Sequence, residues 1–101
     1  VSGQLGLDPA TGTLSPDIES QTLQALKNLT SLLREAGFDS SHVIQCTVFL
    51  RDMKEFQRMN LIYGSFFDER GYPARTTVEV TGLPRDARVE IAAIAYQGPR
   101  L

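Results

Sequence analysis

The chain has 101 residues, and 10 Lys and Arg against 12 Asp and Glu give a formal net charge of −2 at pH 7. A chain of this length buries only about two thirds of its unfolded surface, so we predict that residues 1–101 form a single domain. Hydrophobic residues make up 42% and charged residues 22%, which excludes disordered, collagen-like and coiled-coil chains. This small negative net charge favours neither nucleic acid nor an anionic membrane as a partner.

The single cysteine, Cys46, cannot form an internal disulfide, and a small domain without disulfides is typical of a reducing compartment such as the cytoplasm. The apolar runs are short, and the run over residues 91–95 falls far below the roughly 20 residues that cross a bilayer. The chain opens directly on Val1 without a charged leader. We expect further residues upstream in the protein, including a transit segment if its location is mitochondrial.

The first part of the chain predicts a strand end and a long helix. Residues 1–7 read as a strand, and residues 8–12 (DPATG) read as a turn. Ser15 is the predicted N-cap, with Pro16 at the first helical position, and Gly37 ends the helix. Small and apolar residues between them recur at three- and four-residue spacing and predict one buried stripe, formed by Ile18, Thr22, Ala25, Leu26, Leu29, Leu32, Leu33 and Ala36.

The middle of the chain predicts a strand and a second helix. The strand runs from His42 to Leu50, with Ile44, Cys46, Val48 and Leu50 on one face and Val43, Gln45, Thr47 and Phe49 on the other. Asp52 and Glu55 have the spacing of a capping box that opens the helix, and residues 71–73 (GYP) end it. The inward residues of this helix are predicted to be Met53, Phe56, Met59, Ile62, Tyr63 and Phe66.

Two final strands are predicted over residues 75–81 and 88–96, joined by a turn at residues 82–86. The order strand, helix, strand, helix, strand, strand predicts an α+β fold with both helices on one face of a mixed sheet. Alternation assigns to the helix-covered face Thr76, Val78, Val80, Val89, Ile91, Ala93 and Ala95. It assigns to the opposite face Arg75, Thr77, Glu79, Arg88, Glu90, Ala92, Ile94 and Tyr96.

The opposite face of the predicted sheet combines these charges with large apolar residues, among them Val43, Phe49 and Ile94. A solvated face on a small domain would be more uniformly polar, so we predict that this face contacts a partner. Most soluble oligomers are closed assemblies of one chain, which makes a second copy of this chain the expected partner.

The sequence holds few motifs of strong chemical meaning. It has no phosphate-binding loop, no GxGxxG and no HExxH, and one histidine with one cysteine cannot form an ordinary zinc site, so we predict no metal. His42 is predicted to have a surface or capping role, and Cys46 to be buried and unreactive. The Met and Phe residues of the second helix are predicted to pack in the core.

Arg75 and Glu90 are the remaining candidates for chemistry. Both are predicted to lie on the partner-facing side, with Glu90 on the antiparallel strand next to that of Arg75. One interpretation is an ordinary structural ion pair. The other is functional, because an arginine binds a carboxylate through two parallel hydrogen bonds and a glutamate beside it can move protons. The spacing leaves both interpretations open.

Several segments resemble the RidA/YjgF family of reactive-intermediate imine deaminases. They are VSGQLGLDPATG (residues 1–12), QTLQALKNL (21–29), CTVFLRDM (46–53), NLIY (60–63), PARTTVEV (73–80), LP (83–84) and VEIAAIA (89–95). The likeness covers nearly the whole chain in order.

The resemblance implies a chorismate-mutase-like α+β fold assembled as a homotrimer, with active sites between subunits. It implies that reactive 2-imino acids and their enamines, such as 2-iminopropanoate and 2-iminobutanoate, are hydrolysed to 2-keto acids and ammonia without a cofactor. By position, it implies that Arg75 holds the substrate carboxylate and that Glu90 positions the attacking water. Ser2 and Gly3 match residues that line the site, and Asn60 matches a residue near it.

The chain departs from the family pattern at Thr77, where many members carry a cysteine, and at Ala92, where many carry a second glutamate. The Thr77 hydroxyl is a candidate substrate contact. We expect the domain over residues 1–101 to lack the N-terminal strand, and the loop with an aromatic residue beside the cleft, that members usually carry. A trimer that binds a keto or amino acid without turnover remains the alternative, although Glu90 favours catalysis. An endoribonuclease or translation inhibitor is disfavoured, because no basic groove with stacking aromatic residues is visible.

Overall fold

The computed structural model describes residues 1–67 and 71–98 and shows two helices packed on one face of a four-stranded sheet. The elements are β1 (Gln4–Leu5), α1 (Ile18–Glu35), β2 (Val43–Leu50), α2 (Phe56–Phe67), β3 (Ala74–Glu79) and β4 (Val89–Ala95). Short 3₁₀ helices over Ser40–His42, Met53–Glu55 and Pro84–Asp86 precede β2, α2 and β4. The predicted α+β class is confirmed.

The strands lie in the order β1-β4-β2-β3. β4 pairs antiparallel with β1 and β2, whereas β3 pairs parallel with β2. Parallel neighbours need a long crossover connection, and α2 supplies it. The prediction that the last two strands are neighbours is therefore wrong, because the chain from 80 to 88 crosses to the far side of β2 and does not close a hairpin.

α1 begins two residues later than predicted. Its N-cap is Asp17, whose carboxylate accepts a hydrogen bond of 2.9 Å from the backbone N–H of Ser20. The buried stripe consists of Ile18, Gln21, Thr22, Ala25, Leu26, Leu29, Thr30 and Leu33. Two residues predicted to be buried in this stripe are exposed. Leu32 lies about 100° around the helix from the buried Leu33, and Ala36 is the C-cap residue beyond the last turn.

β2 contains an irregularity between Val43 and Gln45 that corrects the predicted faces at its start. A β-bulge adds one unpaired residue, so the alternation of side chains reverses across it. Val43 is consequently buried, whereas Ile44 is 53% exposed, the opposite of the prediction for both. Beyond the bulge the prediction is confirmed, and the buried residues are Cys46, Val48 and Leu50.

α2 begins at Phe56, after a 3₁₀ turn that Asp52 caps through a hydrogen bond of 2.9 Å from the backbone N–H of Lys54. Its fully buried side chains are Met59, Tyr63 and Phe67, with Phe56 and Phe66 partly buried against the same core. Met53 is 39% exposed, contrary to prediction, because it belongs to the preceding turn. Residues 71–73 are not helical, as predicted.

The register of β3 against β2 reverses the predicted faces of β3. Arg75 is the register partner of Cys46, and Thr77 is the partner of Val48. Side chains at the same register of neighbouring strands point to the same side of a sheet. Because Cys46 and Val48 are buried under the helices, the residues of β3 on the helix-covered face are Arg75, Thr77 and Glu79, and those on the open face are Thr76 and Val78.

Within residues 1–67 and 71–98, no helix is both long and apolar enough to cross a membrane.

Candidate active site

Arg75 lies near the start of β3, with its side chain directed under α2. Its Nη1 donates a hydrogen bond to Oδ1 of Asn60, with the two atoms 2.5 Å apart. The central carbon of its guanidinium lies 4.7 Å from the centre of the Tyr63 ring and 5.4 Å from the centre of the Phe56 ring. The guanidinium is therefore held by three side chains of one helix, and the predicted proximity of Asn60 to Arg75 is found.

A cavity of about 390 Å³ lies beside this arginine. Its lining residues are Asn60, Tyr63, Gly64, Tyr72, Pro73 and Arg75. Small-molecule sites in proteins are concave and combine ring-bearing walls with a few convergent polar groups. Here Arg75 supplies a positive charge and Asn60 an amide, so the cavity suits a small molecule that carries a carboxylate.

Two buried hydroxyl groups accompany Arg75. The hydroxyl oxygens of Tyr63 and Thr77 are buried, and neither has a hydrogen-bond partner among the described residues. Thr77 lies two residues from Arg75 on the same face of β3. Burial raises the pKa of Tyr63, the neighbouring Cys46 thiol raises it further, and the charge of Arg75 opposes both. Tyr63 is therefore a neutral phenol that can donate a hydrogen bond.

Cys46 is fully buried beneath this group, as predicted. Burial raises the pKa of its thiol above the ordinary value of 9.0, while Tyr63 and the charge of Arg75 lower it. A thiol in this setting is largely protonated at neutral pH and is a poor nucleophile. Nothing in the geometry gives Cys46 a chemical role.

Glu90 lies on β4, on the open face of the sheet, against the backbone of Gly3. A Cβ atom added at Gly3 would lie 2.5 Å from Oε2 of Glu90 and 2.7 Å from its Cδ, so the two residues are in direct contact. The backbone N–H of Ala93 donates a hydrogen bond of 3.2 Å to the carbonyl of Val1, which holds this segment along β4. Ser2 is exposed beside Gly3. The structure thus brings Gly3 to Glu90, with Ser2 adjacent to Gly3 in the chain.

Arg75 and Glu90 do not meet within one chain. Their strands are separated by β2, which places them about 10 Å apart across the sheet. Their register partners on β2 are Cys46 and Phe49, which adds about 10 Å along the strand direction. Their side chains also point to opposite faces. The predicted contact across neighbouring strands is therefore wrong, and so is the structural ion pair within one chain.

The open face around Glu90 is rich in apolar surface. Ile94 is 55% exposed and Val78 is 37% exposed, and Phe49 lies between their strands as the register partner of both Val78 and Glu90. A face that combines charged and apolar residues was predicted from the sequence, and Phe49, Glu90 and Ile94 lie on the open face of the sheet.

His42 has the predicted capping role. Its Nδ1 accepts a hydrogen bond of 3.0 Å from the backbone N–H of Asp39 and completes a capping box around the turn before β2. In the described part of the chain, no three His, Cys, Asp or Glu side chains are grouped to hold a metal ion.

The contact of Phe56 with Arg75 was not predicted, because the apolar spacing assigned Phe56 to the core alone. The signal was present in the sequence: Phe56, Asn60 and Tyr63 are spaced four and three residues apart and so share one face of α2. What the sequence did not supply was the register that places Arg75 beneath that face.

Comparison with known proteins gives consistent matches over nearly the whole chain. Residues 1–97 match the family described as Endoribonuclease L-PSP. The 2-iminobutanoate/2-iminopropanoate deaminase of Mus musculus is 48% identical over 100 residues, which cover 98% of this chain and 73% of the mouse protein. The protein of the same name from Homo sapiens is 42% identical over 100 residues, with 98% and 72% covered.

Solved structures match equally well. The YjgF gene product of E. coli has a TM-score of 0.93 at 37% identity, covering 96% of this chain and 78% of that one. E. coli TdcF with bound serine has the same TM-score, identity and coverage. A relative from Thermotoga maritima has a TM-score of 0.92 at 41% identity, with 98% and 78% covered.

Proposed function

Because this chain belongs to the Endoribonuclease L-PSP family, which contains the RidA/YjgF proteins, we propose that it hydrolyses reactive 2-imino acids to 2-keto acids and ammonia. The proposed substrates are 2-iminobutanoate and 2-iminopropanoate. Two relatives that are 48% and 42% identical to this chain are named as deaminases of these compounds. The observation that carries the proposal is the Arg75 guanidinium, held by Asn60 beside a cavity of about 390 Å³. We expect the reaction to need no cofactor and to take place in the cytoplasm.

The chemistry requires little more than orientation and one activated water. An imine carbon is already electrophilic, so the protein has to neutralise the carboxylate, hold the imine and place the water. Arg75 is assigned to the carboxylate, and a charge-assisted contact of this kind contributes about 1.5–3 kcal/mol to binding. The buried, unpartnered hydroxyl of Thr77 is assigned as a further donor to the substrate.

In this proposal the Glu90 carboxylate comes from another copy of the chain. Arg75 and Glu90 lie on opposite faces of the sheet, so one chain cannot present both to a single small molecule. We therefore propose an active site between subunits, and the resemblance to the RidA/YjgF family implies that the assembly is a homotrimer. In this proposal Glu90 of the partner subunit, with Gly3 and Ser2 of the partner subunit, faces the Arg75 cavity. The exposed Ile94 and Val78 supply apolar surface for that contact.

The proposed step balances as a hydrolysis. The Glu90 carboxylate accepts a proton from the water while the water oxygen bonds to the imine carbon. The proton then passes to the nitrogen of the tetrahedral intermediate. The hydroxyl proton then passes by way of the Glu90 carboxylate to the nitrogen, the carbon–nitrogen bond breaks with its electron pair on nitrogen, ammonia leaves, and the hydroxyl oxygen becomes the keto oxygen.

Ammonia release tests this proposal. A pyridoxal-phosphate threonine dehydratase generates 2-iminobutanoate in the assay, and the rate of ammonia release is measured with and without the protein. We expect the parent to accelerate release and Arg75→Ala to abolish the acceleration without changing the oligomeric state. Arg58→Ala, which removes an exposed guanidinium paired with Glu19, is the matched control and should retain activity. Equal acceleration by the parent and Arg75→Ala would overturn the assignment of Arg75.

The second candidate function is binding of a keto or amino acid without turnover. Arg75 alone is sufficient for such binding, and a related structure, E. coli TdcF, holds serine. Under this function, the parent binds 2-oxobutanoate in a titration but leaves ammonia release at the uncatalysed rate. Under the deaminase function, Glu90→Gln retains binding of 2-oxobutanoate and loses the acceleration of ammonia release.

A further inference from the structure

We propose that Phe56, Asn60 and Tyr63 form an arginine cradle on α2, and that the ring of Tyr63 is the positioning residue that fixes Arg75 for the substrate carboxylate. This inference rests on the proposed function, since it takes Arg75 as the carboxylate site. It adds that binding depends on an aromatic residue that is itself buried in the core.

The cradle follows from helix geometry. Residues spaced four and then three apart lie on one face of a helix, and Phe56, Asn60 and Tyr63 have that spacing. The guanidinium of Arg75 contacts all three: one hydrogen bond to Asn60 and two ring contacts within the range of about 6 Å at which a cation is attracted to an aromatic face.

Tyr63 is the stronger of the two ring contacts. Its ring centre is 4.7 Å from the guanidinium carbon, against 5.4 Å for Phe56. Tyr63 is also 2% exposed, and attraction between a cation and a ring strengthens when water is removed. A buried ring of this kind cannot move aside, because the Phe67 ring packs on it with centroids 4.9 Å apart.

Such a cradle benefits binding because an arginine side chain is otherwise mobile. Ordering a long side chain when ligand binds costs conformational entropy, and a guanidinium already held in place avoids that cost. Asn60 accepts a hydrogen bond from one N–H of Arg75 Nη1. A guanidinium has five N–H donors, so further donors of Arg75 can bind a carboxylate.

The test compares Tyr63→Leu, which removes the ring, with Tyr63→Phe, which removes only the hydroxyl. For 2-iminobutanoate generated in the assay, we expect Tyr63→Leu to raise KM about tenfold with kcat within about threefold of the parent. Tyr63→Phe should keep KM within about twofold. The matched control is Phe66→Leu, an aromatic residue of the same helix whose ring packs on Phe67 and contacts neither Arg75 nor Tyr63 in the ring contacts described above, which should lower Tm but leave KM unchanged.

Two further measurements do not depend on turnover. In a titration with the stable product 2-oxobutanoate, Tyr63→Leu should weaken binding about tenfold and Tyr63→Phe by less than about twofold. In NMR spectra, the Nε–H proton of Arg75 should carry a ring-current shift that is kept in Tyr63→Phe and lost in Tyr63→Leu. The resonance reports that the ring lies beside Arg75, and the affinity decides the role, because a purely structural role for Tyr63 would leave the affinity unchanged in folded protein.

The outcomes separate the cradle from the proposed function. Failure of the parent both to bind 2-oxobutanoate and to release ammonia would overturn the proposed function. A parent that is active, with a folded Tyr63→Leu that binds 2-oxobutanoate as tightly as the parent, would overturn the cradle alone. If Tyr63→Leu does not fold, Phe56→Leu replaces it. We expect that variant to weaken binding by a smaller factor, and an unchanged affinity would again overturn the cradle.

Discussion

Gly3 sets the position of the Glu90 carboxylate because it has no side chain. A Cβ atom at this position would overlap Oε2, Cδ and Cγ of Glu90, all within 2.9 Å. Atoms cannot approach so closely, so either the glutamate or the N-terminal segment would have to move. The position of Glu90, to which we assign the attacking water, thus depends on the absence of a Cβ atom at Gly3.

This contact predicts that Gly3→Ala lowers kcat for ammonia release by about tenfold or more, because displacement of a catalytic group by about 1 Å is costly. The matched control is Gly82→Ala, where an added Cβ would meet nothing within 4 Å. Both variants are compared by ammonia release and by thermal unfolding. Loss of activity in both, or in neither, would contradict the role assigned to Gly3.

The buried thiol of Cys46 gives a second prediction. Since burial raises the pKa of Cys46 and leaves the side chain without solvent exposure, Ellman's reagent should react at pH 8 at least about tenfold more slowly with native protein than with protein in urea. The absorbance of the released thiolate measures both rates. Equal rates would show that the thiol is accessible, contrary to its place in the core.

At the scale of elements, the start of α1 depends on one carboxylate. Asp17 accepts a hydrogen bond from the N–H of Ser20 and lies at the positive end of the helix dipole. Hydrogen bonds from the backbone and the side chain of Ser20 lower the pKa of Asp17 below its ordinary value of 3.8. A carboxyl group whose pKa is lowered on folding stabilises the fold above its unfolded pKa, and this contribution is lost as the pH falls through the folded pKa.

We therefore expect Asp17→Ala to lower Tm by several degrees at pH 7, and the difference from the parent to shrink below about pH 3.8. Ser15→Ala is the matched control, since the structure uses only the backbone carbonyl of Ser15, which accepts from the side chain of Gln21. Its Tm should equal that of the parent. Thermal unfolding followed by circular dichroism at both pH values tests this, and a larger loss in Ser15→Ala would contradict the observed cap.

The elements were more predictable than their pairing. Helix periodicity located α1 and α2, because apolar spacing is a local property of the sequence. The neighbour of β3 depends instead on where the chain crosses after residue 80, which no short segment determines. The alternation of Thr76, Val78 and Val80 assigned the wrong faces to β3. The wrong neighbour then brought Arg75 and Glu90 together incorrectly. Arg75 and Glu90 were candidates from the residue pattern alone, whereas their roles came from the family resemblance. The cradle around Arg75 required the register with β2.

At the scale of the whole molecule, the open face of the sheet is the surface on which the proposed trimer depends. Ile94 lies on it and is 55% exposed. We expect the parent to have the mass of three chains of 11.2 kDa, and Ile94→Asp to have the mass of one, because a buried unpaired carboxylate is strongly unfavourable at an interface. Light scattering after size exclusion measures both.

The control for this prediction is Leu32→Asp on α1, where the leucine is 40% exposed and belongs to a helix that contributes nothing to the lining of the Arg75 cavity. That variant should remain trimeric and active. Ile94→Asp should lose ammonia release together with its trimeric mass. A monomeric parent that is fully active would contradict a site shared between subunits.

The placement of Arg75 and Glu90 on opposite faces of one sheet also makes the two halves of the proposed site respond differently to protein concentration. Arg75 and the helix that holds it belong to one continuous stretch of chain, β2 to β3, and stay together in an isolated subunit. In the proposed trimer, Glu90 reaches the substrate only when a neighbouring subunit is present. Dilution would therefore remove turnover per chain while each separated subunit kept its arginine and its cavity, so the molecule would pass from a catalyst to a carrier of the same acids.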